Sequence, residues 1–208
     1  MTKVYDVTMP ITLDMPVYKN KPEKRPEFVI TSDHADKGVR ESRIALDVHT
    51  GTHIDAPLHM IAEGATIESI QVTDLMGVCK VLDLTHVENA ISQTHLQPLG
   101  IQAGDFVLLK TRNSSDSVFN PEFVFLDEDG ARYLAGLNVK GVGIDALGVE
   151  RSQPTHPTHK ALFGAGVIVI EGLRLADVPP GTYQLIALPL SLIGLDASPA
   201  RVVLIAQE

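Results

Sequence analysis

The stretch Arg43-Ile-Ala-Leu-Asp47-Val-His49-Thr-Gly51-Thr-His53-Ile-Asp55-Ala-Pro57-Leu-His59 carries more chemistry than any other part of the chain. Its first half alternates. Ile44, Leu46 and Val48 fall on one side, and Arg43, Ala45, Asp47 and His49 on the other. That period of two predicts a half-buried strand over 43–49 with His49 at its end. Gly51 permits a sharp turn. Beyond it an extended chain would point His53 and Asp55 to the same side, and Pro57 stops any helix. The four-residue step from His49 to His53 also fits one face of a helix, as in HExxH sites. Here Thr50-Gly51-Thr52 offers no glutamate and consists of poor helix formers, which rejects that reading.

His49, His53 and Asp55 supply nitrogen and oxygen donors without sulfur, a set suited to Zn²⁺ or Mn²⁺. Three protein ligands with room for water describe a catalytic metal site rather than a closed structural one. The plainer alternative is that these side chains only cap turns. Four ionisable groups crowded into a Gly/Pro-rich turn need a compensating partner, which argues against it. His59 is a further ligand, a group behind the ligands or a proton shuttle, since imidazole titrates near neutrality. Downstream, His156 and His159 flank Pro157 at the start of a short helix, and spacing alone does not choose between them. Glu171 closes the apolar run Val167-Ile-Val-Ile170. A carboxylate ending a buried strand is costly unless it is paired, metal-bound or at a wet rim.

Around this stretch, Gly77–Leu84, Asp105–Lys110, Gly141–Ile144, Val167–Ile170, Tyr183–Leu188 and Arg201–Ile205 read as strands. Asp129–Leu137 and a segment from Thr158 to Gly164 or Gly166 read as short helices. Many short strands with few helices predict one α/β domain over residues 1–208, built on a mixed, barrel-like sheet. The 208 residues are 44% apolar and 21% charged, with a net charge of −9. An acidic chain has no electrostatic reason to seek nucleic acid or an anionic membrane. No run reaches the roughly 20 apolar residues of a membrane helix, and no phosphate-binding glycine loop is present. The start lacks an apolar signal core, and the single Cys79 suits a reducing cytoplasm. His34, His86 and His95 read as solvated or locally hydrogen-bonded, Asp145 as a turn former and Arg201 as an ion-pair partner. Ser191 and Ser198 lack triad companions.

The run His49-Thr-Gly-Thr-His-Ile-Asp-Ala-Pro-Leu-His59 resembles the HxGTHxDxPxH signature of the cyclase family of metal-dependent hydrolases, which includes kynurenine formamidases (arylformamidases) and isatin hydrolases. The likeness extends to Tyr5–Thr12, Gly143-Ile-Asp-Ala146, His159 followed by Glu171-Gly-Leu173, and Gly194–Arg201. It implies a swivelling β/β/α domain around the barrel-like sheet, usually in homo-oligomers (dimer or tetramer). It also implies a first metal on His49, His53 and Asp55, and a second bridged by Asp55 to His159 and Glu171. His159 is thereby preferred over His156, and His59 becomes the proton donor and acceptor. The implied substrate is a small aryl formamide such as N-formylkynurenine; the alternatives are a cyclic amide or lactone of the isatin type, or a non-catalytic metal-stapled binding domain. Kynurenine formamidases of the family set a tryptophan against the aromatic substrate. This chain has none, and Tyr18 in Asp14–Tyr18 is the candidate replacement.

Overall fold

Short strands dominate the computed structural model, which describes residues 2–206. In chain order the elements are β1 (Val4–Asp6), β2 (Glu27–Ser32), α1 (His34–Lys37), β3 (Glu41–Ala45), β4 (His53–Asp55), β5 (Met76–Asp83), β6 (Ala90–Ile91), α2 (Gln93–Leu96), β7 (Phe106–Lys110), β8 (Phe125–Leu126), α3 (Glu128–Gly136), β9 (Gly141–Ile144), α4 (Pro157–Gly164), β10 (Ile168–Glu171), β11 (Gly181–Pro189) and β12 (Ala197–Ala206). Seven of them close a barrel in the order β12-β11-β5-β7-β9-β10-β4, with β4 returning to β12 and β1 added outside on β12. The sheet is mixed, as the sequence suggests. β5, β7, β9 and β10 run parallel, while β11, β12 and β4 pair antiparallel with their neighbours.

Alternation divides the apolar residues between two cores. Cys79, Val81, Phe106, Leu108, Ile170, Ile54, Leu185 and Val202 fill the barrel. Val107, Leu109, Val142, Ile144 and Val169 belong to the other core, with Leu134 of α3 and Leu162 and Phe163 of α4. Each such buried side chain contributes on the order of 1.5–3 kcal/mol. β9 presents glycine to the barrel because a Cβ at Gly141 would strike the Phe106 ring and one at Gly143 would strike Leu108. The Cys79 thiol lies inside this packing, and burial pushes its pKa up to about 12, so it is inert.

The segment 43–49 departs from expectation. Only its start is strand, in an exposed β2–β3 hairpin on which Ile44 is 59% accessible. From Asp47 the chain turns, with Thr50 N–H donating to Asp47 O at 3.0 Å. The alternation is genuine, but the ribbon stands away from the barrel, so period two does not there mean burial. The extended piece is β4, after the left-handed Gly51.

A second turn locks against that glycine. Gly172, just past β10, also has a left-handed φ of 70°, and a Cβ there would collide with the backbone of Gly51. Thr52 ties the two turns, donating from Oγ1 to Gly172 O at 2.6 Å and accepting from Met9 N–H at 2.8 Å. Gly172→Ala is expected to cost roughly 1–3 kcal/mol through this overpacking. A thermal melt unchanged from the parent would show that the turns are not held in contact.

Candidate functional site

Strand register builds the site. β4 and β10 pair with Glu171 opposite His53 and Val169 opposite Asp55. Ile54 and Ile170 point into the barrel. The period of two therefore sends His53, Asp55 and Glu171 to the opposite face. All three are at most 4% exposed. α4 crosses this face and adds the buried His159. The Asp47–Thr50 turn supplies His49, and a 3₁₀ turn over Pro57–His59 supplies His59.

Asp55 lies at the centre. Its Oδ1 is 3.0 Å from His49 Nδ1 and 3.3 Å from His53 Nε2, whereas Oδ2 is 3.6 Å from His159 Nε2. Glu171 closes the ring, with Oε2 3.3 Å from His53 Nε2 and Oε1 3.3 Å from His159 Nε2. Oε1 also accepts from Val149 N–H at 2.5 Å. His53 Nδ1 is 2.9 Å from Gly51 O; that carbonyl can only accept, so Nδ1 carries the proton and Nε2 faces the carboxylates. The structure thus gathers His49, His53, Asp55, His59, His159 and Glu171 in one place.

His156 stays outside this cluster. Its side chain is 56% exposed and pairs with Glu150. Tyr18 is half-buried, edge-on to Phe119 at 5.2 Å between centroids. It lines a cavity of about 300 Å³ whose floor is His49, His53, His159 and Glu171. His34, His95 and Arg201 make local contacts, with Gly38 O, Ser92 and Asp6 respectively, and His86 is exposed. Asp145 is buried and accepts from Thr111 and Ser114, a structural tie.

Sequence reasoning missed two acidic residues. Asp196 accepts at Oδ2 from His49 Nε2 at 2.9 Å and lies 3.5 Å from His59 Nδ1. It falls inside the Gly194–Arg201 stretch that carries part of the family likeness. Glu150 sits behind His159, and nothing in its local sequence marks it.

The charges are strongly coupled to one another. Burial opposes a charged His53, but Asp55 and Glu171 outweigh it and push its pKa up to about 10. His159 is likewise raised against burial by Asp55, Glu150 and Glu171. Burial and the Asp55 charge both act to raise Glu171, yet His159 and His53 pull it down to about 2. His59 differs: burial lowers it and the Asp55 charge does not reverse the shift.

The cluster passes a test for a divalent cation. Neither oxygen of Asp55 has a hydrogen bond, nor has Nε2 of His53, although all are buried. Buried polar atoms without partners are uncommon, and here they converge from imidazoles and carboxylates, the donors that Zn²⁺ and Mn²⁺ accept. Asp55 belongs to two groups whose donor atoms could share an ion, one with His49 and His59 and one with His53 and Glu171.

A seven-stranded mixed barrel bearing a buried His/Asp/Glu centre on one outer face defines the class of protein. Comparison with known proteins gives the family. The family model described as "Putative cyclase" matches residues 5–151. The kynurenine formamidase of Salinibacter ruber is 32% identical over 202 residues, covering 96% of this chain and 95% of that protein. A solved structure described as a potential metal-dependent hydrolase with cyclase activity shares 59% identity, full coverage of both chains and a TM-score of 0.95. Isatin hydrolase A from Labrenzia aggregata, at 24% identity, matches in fold with a TM-score of 0.87 over 100% of this chain and 94% of that one. The chain belongs to the cyclase family. No helix among its described residues is long and apolar enough to cross a membrane.

The ion pairing sets a pH window for protein stripped of divalent cations. His53 has a raised pKa, so its contribution is complete below 6.5 and is lost as pH rises through about 10. Glu171 has a depressed one, so its contribution is complete above 4.5 and is lost as pH falls through about 2. Melting temperature in EDTA is expected to peak between pH 4.5 and 6.5 and fall on both sides. A flat profile from pH 5 to pH 10 would refute the pairing.

Proposed function

We propose that this chain is a metal-dependent hydrolase of a carbon–nitrogen bond in a small aryl formamide, with N-formylkynurenine the first candidate. One observation carries the reading: the two oxygens of buried Asp55 face different imidazoles, His49 and His159, and both of those rings line an open cavity. A carboxylate so placed can serve two ions, the first with His49 and His53, the second with His159 and Glu171. Zn²⁺ is the preferred ion and Mn²⁺ the alternative. Such ions supply Lewis acidity at the carbonyl and a water acidic enough to be nucleophilic at neutral pH.

The chain's own groups do the rest. Hydrolysis joins the water oxygen to the carbonyl carbon and breaks the C–N bond. His59 accepts a proton of the water and returns it to the leaving nitrogen. Its Nδ1 is turned to Asp196, so Nε2 is the nitrogen left to accept. Burial shifts that ring below the ordinary imidazole range, which favours the neutral form. Tyr18 offers a flat wall where other family members use tryptophan. Lys19 Nζ lies 5.3 Å from the centroid of the Tyr18 ring, and Lys21 also lines the cavity. An aromatic amide carrying a carboxylate suits that wall and rim. The stapled-domain alternative has no use for a 300 Å³ cavity above the donors.

Protein purified without added metal is expected to contain Zn²⁺ or Mn²⁺ and to hydrolyse N-formylkynurenine. EDTA should abolish the activity and one ion restore it. A panel with formylanthranilate and isatin separates a formamidase from a ring-opening enzyme. Asp55→Ala should lose metal. His59→Ala should keep metal and lose roughly 10²–10⁴-fold in turnover; parental turnover in that variant would exclude the shuttle.

A homo-oligomer, a dimer or tetramer, is part of this reading. Phe28, Ile30 and Ile44 on the β2–β3 hairpin are 45%, 53% and 59% exposed, an apolar face for a second copy to cover. Ile44→Glu is expected to lower the mass seen by light scattering, and a monomeric parent would contradict the assignment.

A further inference from the structure

We propose that Glu150 is the positioning residue of the centre: its carboxylate orients His159 from behind and anchors that ring to His156 at the cavity mouth. The inference rests on His159 being a metal ligand. Glu150 is only 5% exposed, and a buried carboxylate needs partners on both oxygens. It has them. Oε2 accepts from the His159 backbone N–H at 3.1 Å and lies 3.3 Å from His159 Nδ1. Oε1 is 2.6 Å from His156 Nδ1.

The consequences for His159 are specific. Nδ1 is buried without a hydrogen bond, and the carboxylate that faces it is Glu150 Oε2 at 3.3 Å. A proton on Nδ1 would face Glu150, so that Nε2, which meets Asp55 and Glu171, is the nitrogen that would serve an ion bound between them. A carboxylate behind a ligand imidazole fixes its tautomer and raises its basicity. Glu150 also holds the backbone. His159 is the third residue of α4, where the N–H has no partner within the helix. The N-cap position, His156, provides no side-chain cap. Glu150 takes that donor from outside, so one carboxylate fixes both the ring and its Cα.

The loop between them carries strain consistent with an imposed geometry. Ser152, Thr155 and His156 have φ of 53°, 69° and 54°, left-handed values that are costly without glycine. The residue before proline disfavours such helical conformations as well. Glu150 and Pro157 clamp His156 there, on the rim of the cavity that His159 floors.

The test is calorimetric titration of the cation-stripped full chain with Zn²⁺, alongside thermal melts. Glu150→Gln keeps the shape and removes the charge. Its zinc affinity is expected to fall roughly 10–100-fold relative to the parent, and Glu150→Asp to recover part of the loss. His156→Ala, a surface change, is expected to weaken zinc in the same direction by less than about tenfold. If Glu150→Gln does not fold, the His156→Ala titration decides, since unchanged affinity overturns the inference. A lower melting temperature with unchanged zinc affinity in Glu150→Gln would make Glu150 a purely structural ion pair and also overturn it. A parent chain that binds no zinc or manganese would instead remove the proposed function, so the two failures are distinct.

Discussion

Three residues of strand, His53-Ile54-Asp55, constrain everything else. β4 is hydrogen-bonded on one edge to β10 and on the other to β12, and so closes the barrel. A strand with both edges used cannot rotate. With Ile54 committed to the barrel core, His53 and Asp55 must face the other way, and pairing to β10 brings Glu171 beside them. A slip of one residue would put Ile54 into the cavity floor and two ionisable side chains into the apolar interior. The register that stabilises the fold is the same register that assembles the site.

The assembly is costly, and comparison with another buried carboxyl shows where the cost falls. Asp145 accepts from Thr111 N–H, Thr111 Oγ1 and Ser114 Oγ at 2.7–2.9 Å. Burial nonetheless raises its pKa to about 6. It is a carboxyl satisfied by neighbouring hydroxyls and backbone, with a structural task. Asp55 is equally buried, has no hydrogen bond and is held ionised by the imidazoles around it. Buried ion pairs add little net stability over apolar residues of the same size. The chain satisfies Asp145 with hydroxyls and backbone, yet leaves Asp55 a buried charge whose two oxygens no hydrogen bond satisfies.

Much of this was legible in the sequence. The barrel strands from Gly77 onward, both longer helices, the turn at Gly51 and the shared face of His53 and Asp55 all follow from local pattern. Glu171 at the end of an apolar run announced a costly burial, and the structure shows what it meets. Three things were not legible. The alternation over 43–49 is the same whether a ribbon lies on a core or stands away from it, and only the tertiary structure decides. His156 and His159 sit three apart around a proline, and the left-handed turn at His156 is what sends one ring outward and the other in. Asp196 and Glu150 act across separations of 147 and 9 residues, through contacts that no periodicity encodes.

Floor and rim of the cavity are built differently, and this separates two properties of the protein. Most of the floor (His53, Glu171 and His159) is barrel strand and helix backed by packed cores, and His49 reaches it from a turn of the rim. The rim is a set of turns: Tyr18 and Lys19 in a 3₁₀ turn where Lys19 and Asn20 have φ of 57° and 52°, the Asp47–Thr50 turn, and the strained loop from Ser152 to His156. Side chains on packed strands are held in place because close-packed neighbours leave little room, whereas loops tolerate exchange of sequence and length. On the proposed reading, most of the ion-binding side chains would sit in the part of the chain least able to vary, and the walls that meet a substrate in the part most able to. Tyr18 belongs to that rim, so a different side chain there would reshape the cavity wall and leave the packed strands of the floor in place.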